Sequence, residues 1–122
     1  MDEIFNKITK VPKPWGEELW FALTESYAGK IIYIKKGQRL SLQYHHQKCE
    51  SMLVWHGKIQ LLYGKDQDQL KEIVLEQGQA ITIAPHIIHR TLALEDTTII
   101  EVSTSEVEDV VRIADDYGRI SD

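Results

Sequence analysis

Hydrophobic positions in this chain fall in short runs with strand-forming composition rather than in long helical stripes. Glu17–Leu23 and Lys30–Lys35 are rich in β-branched and aromatic residues, which fit a pleated surface. From Arg39 to His45 the residues alternate. Leu40, Leu42 and Tyr44 fall on one face and Arg39, Ser41, Gln43 and His45 on the other, as a strand's period of two requires. Met52–His56 and Lys58–Tyr63 read as two strands joined by a hairpin turn at Gly57, followed by the polar loop G-K-D-Q-D-Q at 64 to 69. Leu70–Leu75, Ala80–Ala84, His89–Leu94 and Thr98–Val102 complete the set, with Gly78 turning the chain between the first two. Only Val107, Val110, Val111 and Ala114 show helical spacing, and Ser105 with Glu108 offers a capping box, so one or two helical turns are expected there.

Ahead of these strands, Pro12, Pro14 and Gly16 interrupt any long element, and residues 1–16 read as an extended arm. Trp15 in that arm is expected to pack on the body of the protein or on a neighbouring subunit. Many short strands separated by Gly and Pro predict an all-β sandwich or barrel. The expected organisation is one domain over 1–122: an arm at 1–16, a β-barrel at 17–104 and a C-terminal segment at 105–122. The apolar Leu40, Leu42, Tyr44 face needs a cover if the other face looks inward. Either the arm or a second subunit can supply it, and a homodimer is expected.

Composition narrows the function classes. A length of 122 residues suits one domain, and 43% hydrophobic with 27% charged residues is ordinary for a globular chain. A formal net charge of −5 argues against nucleic acid or an anionic membrane as partner. No apolar run approaches the roughly 20 residues of a membrane helix, and M-D-E-I-F-N-K lacks a signal-peptide core. The single cysteine, Cys49, excludes an intramolecular disulfide. A cytoplasmic protein is expected.

The polar face of the Arg39–His45 strand raises a more specific possibility. Gln43 and His45 share that face, Glu50 follows closely, and His89 lies on a later strand that a barrel can bring across. Imidazole nitrogens with carboxylate and amide oxygens suit a divalent ion of borderline hardness: zinc first, with manganese, iron, cobalt or nickel as alternatives. Taken singly, each of these residues also has a plainer reading, as a hydrogen-bonded or solvated side chain.

The spacing Gly37, Gln43, His45, Glu50, Gly57 resembles the first motif of the cupin superfamily, with Gln43 where most cupins carry a histidine. Gly78 and His89 resemble the second motif, although His86 stands where a glycine is usual, which implies a different backbone shape in the loop before His89. More specifically, the chain is similar to the cupin domain of type II phosphomannose isomerases. The matching pieces are K-P-W-G-E at 13 to 17, R-L-S-L-Q at 39 to 43, H-R at 89 to 90, E-V-S-T at 101 to 104, D-V-V-R at 109 to 112 and D-D-Y-G-R at 115 to 119. That family often carries the domain behind a nucleotidyltransferase, whose glycine-rich loop has no counterpart in this sequence, so guanylyltransferase activity is not implied. L-S-L-Q-Y-H at 40 to 45, K-C-E at 48 to 50 and D-V-V-R also resemble segments of type I phosphomannose isomerases, in which a glutamine is a metal ligand.

The resemblance implies a cupin double-stranded β-helix (jelly-roll barrel) and metal-dependent interconversion of mannose 6-phosphate and fructose 6-phosphate. It assigns Gln43, His45, Glu50 and His89 to the metal. Arg112 and Lys48 would stabilise negative charge in the transition state or on the phosphate, and Ser41 and Arg90 would contact substrate. Glu101 matches a type I glutamate with one residue inserted and is the first choice of proton carrier, with His46 and His86 left open. Arg112 also has a structural reading, in an ion-pair network with Glu108, Asp109, Asp115 and Asp116, and Arg90 one in capping a neighbouring carbonyl. Other functions stay open: a non-catalytic sugar- or metal-binding module, an isomerase or epimerase of another sugar, or an iron-dependent oxygenase.

Overall fold

In a computed structural model of the chain, which describes residues 4–119, two antiparallel sheets face each other across the core. The six-stranded sheet has the order β1 (Thr9–Lys13), β2 (Gly16–Leu23), β3 (Ala28–Ile34), β10 (Thr97–Ser103), β5 (Glu50–His56), β8 (Ala80–Ile83). The five-stranded sheet has the order β11 (Val111–Ala114), β4 (Leu42–Tyr44), β9 (Ile88–Ala93), β6 (Lys58–Gly64), β7 (Lys71–Glu76). The architecture is all-β, as the alternating pattern demands. Among the described residues no helix is long and apolar enough to cross a membrane. The extended arm is tied down, because β1 pairs with β2 from Thr9↔Trp20 to Lys13↔Gly16. Trp15, between those strands, is a buried member of the core. Positions 1–3 and 120–122 lie outside the described residues.

The inward-facing residues change character along each strand. On β3 they run Ile34, Ile32, Lys30; on β5 Val54, Met52, Glu50; on β9 Ala93, Thr91, His89; and on β10 Ile99, then Glu101. Strand register aligns these steps, placing Ile99 opposite Ile32 and Val54, and Glu101 opposite Lys30 and Met52. One half of the interior is therefore a hydrophobic core, with Ile59 and Leu61 of β6 almost fully buried. The other half is lined by buried charges. The apolar half provides the stability: burying one such Ile or Leu is worth roughly 1.5–3 kcal/mol. The polar half costs stability, since buried charges must be paired.

Three expectations need correction. Residues 105–114 do not form a helical turn. Val107 N–H and Asp109 N–H donate to Ser105 O and Glu106 O in short turns, and the chain then enters β11, which pairs with β4 through Val111↔Tyr44, Arg112↔Gln43 and Ala114↔Leu42. A segment this short is marginal as a helix, and Val110, Val111 and Ile113 are β-branched and fit a sheet edge better. Gly57 does not turn a hairpin either. β5 and β6 belong to opposite sheets, so Gly57 carries the chain across the barrel. It does so with φ +96°, at a point where a Cβ would meet Thr97 Oγ1 at 2.5 Å. Both strands have one strongly apolar face, and facing each other across the core buries both.

The third correction concerns Leu40. It leaves the alternating pattern and packs against the core, while Ser41, Gln43 and His45 line a pocket. The neighbour of β4 at that edge is β11, not the N-terminal arm.

The C-terminal segment is fastened by ion pairs. Asp116 binds Arg39 and Arg90, and Asp115 accepts from the Arg119 side chain at 2.9 and 3.0 Å and from its backbone N–H at 2.6 Å. The Arg119 guanidinium is the main reason that the Asp115 carboxyl is lowered from 3.8 to about 2. A depressed folded-state pKa stabilises above the unfolded value, and that contribution is lost as pH falls through the folded one. Asp115→Asn should therefore lower the melting temperature at pH 7 by roughly 5 °C. The gap to wild type should close between pH 4 and pH 2; a gap that persists at pH 2 would contradict the assignment. Thermal unfolding across that range provides the measurement.

Candidate metal centre

His45, Glu50 and His89 come from three different elements and meet in the polar half of the interior. The Nε2 atoms of His45 and His89 lie 3.0 and 3.1 Å from Glu50 Oε1, all three residues are buried, and their donor atoms lie within 4.8 Å of one another. The other ring nitrogen of each histidine is committed. Nδ1–H of His45 donates to the backbone carbonyl of Asp109 and Nδ1–H of His89 to that of Ile87. Those bonds orient the rings, and in the neutral tautomer they select each Nε2 presents a lone pair toward Glu50. Three acceptors facing one another repel, and a cation among them removes that repulsion. A divalent metal fits this donor set, and mixed nitrogen and oxygen ligation is what such ions take. Gln43, paired in register with His89, lines the same pocket, and its Oε1 accepts from Ser41 Oγ at 3.0 Å.

A clamp holds the His45 loop in place. The Asp109 carboxylate accepts backbone N–H bonds from His46, Gln47 and Lys48 at 3.1, 2.7 and 3.0 Å. Burial opposes ionisation slightly, yet those donors hold the Asp109 carboxyl down at about 2. Thr104 closes the other side through Cys49, in a reciprocal pair of 3.0 Å bonds. Opposite, the loop before His89 turns at His86, which itself takes the left-handed φ of +70° and donates its N–H to His45 O. The histidine thus adopts the backbone shape that a glycine would supply, contrary to the altered loop expected from the sequence, at a strain of roughly 1–2 kcal/mol.

Beside the cluster, Lys48 Nζ lies 3.5 Å from Glu50 Oε2 and 3.4 Å from Glu101 Oε2. Burial alone would lower the lysine's pKa, but the charges of Glu101 and Glu50 raise it, so it stays protonated. The two acids diverge. Burial, then the adjacent Glu50 charge, pushes Glu101 well above the usual carboxyl range. Glu50 is held well below that range despite its burial, by hydrogen bonds that the His45 and His89 rings donate when no cation takes their place, by the Glu101 hydrogen bond and by Lys48. Two neighbouring carboxyls pushed in opposite directions are the division that acid–base chemistry uses.

Of the residues singled out from the sequence, Ser41, Gln43, His45, Lys48, Glu50, Glu101 and Arg112 all line one pocket, and His89 reaches the same interior beside Glu50. Arg90 does not join them: its guanidinium binds Leu40 O and Asp116, the structural role that capping a carbonyl describes. His46 and His86 are exposed and do not line the pocket. Sequence reasoning missed Lys13, Glu18, Trp20 and Lys30, which complete its wall. Glu18 Oε1 accepts from Trp20 Nε1 at 2.8 Å and pairs with Lys30 at 3.4 Å, and Lys30 lies over the Trp20 ring. The signal for Lys30 was a charge at an inward position of an otherwise apolar strand.

Residues 2–117 match the family described as mannose-6-phosphate isomerase C-terminal. The chain belongs to this family. Its fold is that of the cupins, shared with an RmlC-like cupin from Shewanella frigidimarina at a TM-score of 0.71 and 16% identity, over 88% of this chain and 95% of that one. The family member is similar to the xanthan biosynthesis protein XanB of Xanthomonas campestris pv. campestris, 31% identical over 118 residues, covering 90% of this chain and 24% of that protein. It is likewise similar to the mannose-1-phosphate guanylyltransferase of Escherichia coli strain K12, 31% identical over 116 residues, covering 91% and 23%. The chain thus spans about a quarter of the length of these curated relatives.

Asp109 positions the cluster without belonging to it. Asp109→Ala should weaken metal affinity by about 10–100-fold, while Glu50→Gln should abolish stoichiometric binding. Competition against a chelating dye reads both, and an Asp109→Ala protein that binds metal as wild type would refute the positioning role.

Proposed function

We propose that this cupin is a metal-dependent sugar-phosphate isomerase interconverting mannose 6-phosphate and fructose 6-phosphate through an enediolate. The observation that carries the reading is the adjacency of the His45, Glu50, His89 cluster to the buried Glu101 carboxyl and the Lys48 ammonium in one pocket. Aldose–ketose isomerisation removes a proton beside a carbonyl and returns it one carbon along. Zinc is the first choice of ion, with manganese, iron, cobalt or nickel as alternatives, held by His45, Glu50, His89 and Gln43. When bound, such an ion supplies Lewis-acid polarisation of the carbonyl and offsets charge on the enediolate.

The chain's own groups supply the rest. Glu101 is the proton carrier: its raised pKa makes its carboxylate the stronger base, which takes a proton from one carbon and, as the acid, returns it to the next. Lys48, kept charged between two acids, stabilises negative charge developing on the substrate oxygens. Ser41 holds the Gln43 amide, and Arg112 faces the pocket from β11 as a second positive group. Trp15, Ile32 and Leu40 wall the pocket and limit water.

Two copies of the chain form the working unit in this reading. The outer face of the six-stranded sheet carries an apolar row, Leu19, Ile31, Ile100 and Leu53, in register across four strands. Tyr33, Trp55 and Val102, exposed at 37%, 53% and 53%, flank it. The reading also carries the cytoplasmic setting expected from the sequence. A second reading, a non-catalytic sugar-binding module, draws support from a similar protein being named for guanylyl transfer and not for isomerisation.

Metal-loaded protein should turn over both sugar phosphates. Glu101→Gln should lower kcat by about 100-fold or more at unchanged metal content. No turnover of either sugar phosphate, with a Glu50→Ala control indistinguishable from wild type, would refute the isomerase; tight sugar binding without turnover would favour the binding module. Light scattering at micromolar concentration should give the mass of a dimer, and a monomer mass would remove the interface.

A further inference from the structure

The pocket holds more positive charge than its own acids match. Lys13, Lys30, Lys48, Arg112 and Arg119 line it, against Glu18, Glu50 and Glu101, in a chain whose formal net charge is −5. Three of these cations have partners. Lys30 pairs with Glu18, Lys48 sits between Glu50 and Glu101, and Arg119 is held by Asp115. Among the described residues, neither Lys13 nor Arg112 pairs with a carboxylate, and Arg112 Nε is buried with no hydrogen-bond partner. A guanidinium N–H withdrawn from water and left unbonded is destabilising, so a site that keeps one is built to give it a partner.

The two groups reach the pocket from opposite walls. Lys13 ends β1 of the six-stranded sheet, in register with Gly16, and Arg112 lies on β11 of the five-stranded sheet, opposite Gln43. Lys13 is half-buried. Lys30, Arg112 and Arg119 line the same pocket; burial lowers the Lys13 pKa against the pull of Glu18, and the charges of those three cations lower it further. An anion settling there would relieve that repulsion. A phosphomonoester carries close to two negative charges and three acceptor oxygens, which suits an ammonium and a guanidinium acting together.

We propose that Lys13 and Arg112 form an anion subsite for the phosphate of a sugar phosphate, with Lys13 the residue that distinguishes phosphorylated from unphosphorylated sugars. This rests on the sugar-phosphate reading above and adds a residue to it. The metal cluster holds the reacting end of the sugar, and the subsite holds the other end. Remote binding of that kind orients the reacting carbons.

Calorimetry on the metal-loaded full chain tests this with fructose 6-phosphate, fructose and inorganic phosphate. Fructose 6-phosphate should bind at least 100-fold more tightly than fructose, and millimolar inorganic phosphate should compete with it. Lys13→Met should lose at least tenfold in affinity for fructose 6-phosphate and flatten its dependence on salt, at unchanged metal content; Lys13→Arg should restore most of the loss. Equal binding of sugar and sugar phosphate, no competition by phosphate on wild type, or wild-type affinity in Lys13→Met would each overturn the subsite. The competition arm uses wild type alone, so a Lys13→Met protein that does not fold leaves the question decidable. Lys13-dependent phosphate binding without turnover would sink the isomerase reading and leave the subsite standing.

Discussion

Two neutral imidazoles and an ionised carboxylate cannot share one point in a protein interior unless a cation joins them. That constraint organises the polar half of this barrel. The tautomers of His45 and His89 are set by backbone carbonyls, of Asp109 and Ile87, so the repulsion among the three acceptors is built into the fold. Asp109 does this work twice: its carbonyl orients His45, and its carboxylate gathers the N–H groups of the following loop. Strand β11 carries the chain on from that residue, so the C-terminal edge of the five-stranded sheet and the geometry of the metal cluster depend on each other.

The division of the interior explains how such a site is tolerated. Buried charges cost more than their pairing returns unless every member is bonded. Lys48 spreads its charge over Glu50 and Glu101, Lys30 is matched by Glu18, and burial with the adjacent Glu50 charge pushes the Glu101 pKa up. The isoleucines, valine and leucines in the other half of the same strands supply the compensating stability. Because inward positions recur every second residue, a strand can pass from one regime to the other in a single step, as β5 does between Met52 and Glu50.

Much of this was legible in the residues. The strand runs were marked by β-branched and aromatic composition, and His45, Glu50 and His89 stood out as ligand types near strand ends. Lys13 and Glu18 were not legible as site residues, and Lys30 only as a charge in an otherwise apolar strand. A lysine or glutamate in a strand looks the same in sequence whether its face meets water or the interior. Asp109 was equally hidden, since a carboxylate that binds backbone N–H groups more than sixty positions away leaves no local trace. The helical spacing of Val107, Val110, Val111 and Ala114 was real but too short to prevail over a waiting sheet edge. Gly57 was read as a turn residue, correctly in conformation and wrongly in connection.

The sequence by itself determined the period of the elements, the donor types and the family, because these follow from side-chain chemistry and from spacing along one chain. Only the tertiary structure decided which strands face each other, which charges are buried and which of them lack a partner. Those properties arise between residues distant in the chain. Register across a sheet makes Glu101 a neighbour of Lys30, and the crossing at Gly57 sends β5 and β6 to opposite walls. The unmatched charge of Lys13 and Arg112 belongs to this second class. It exists only once two sheets have closed around a common pocket.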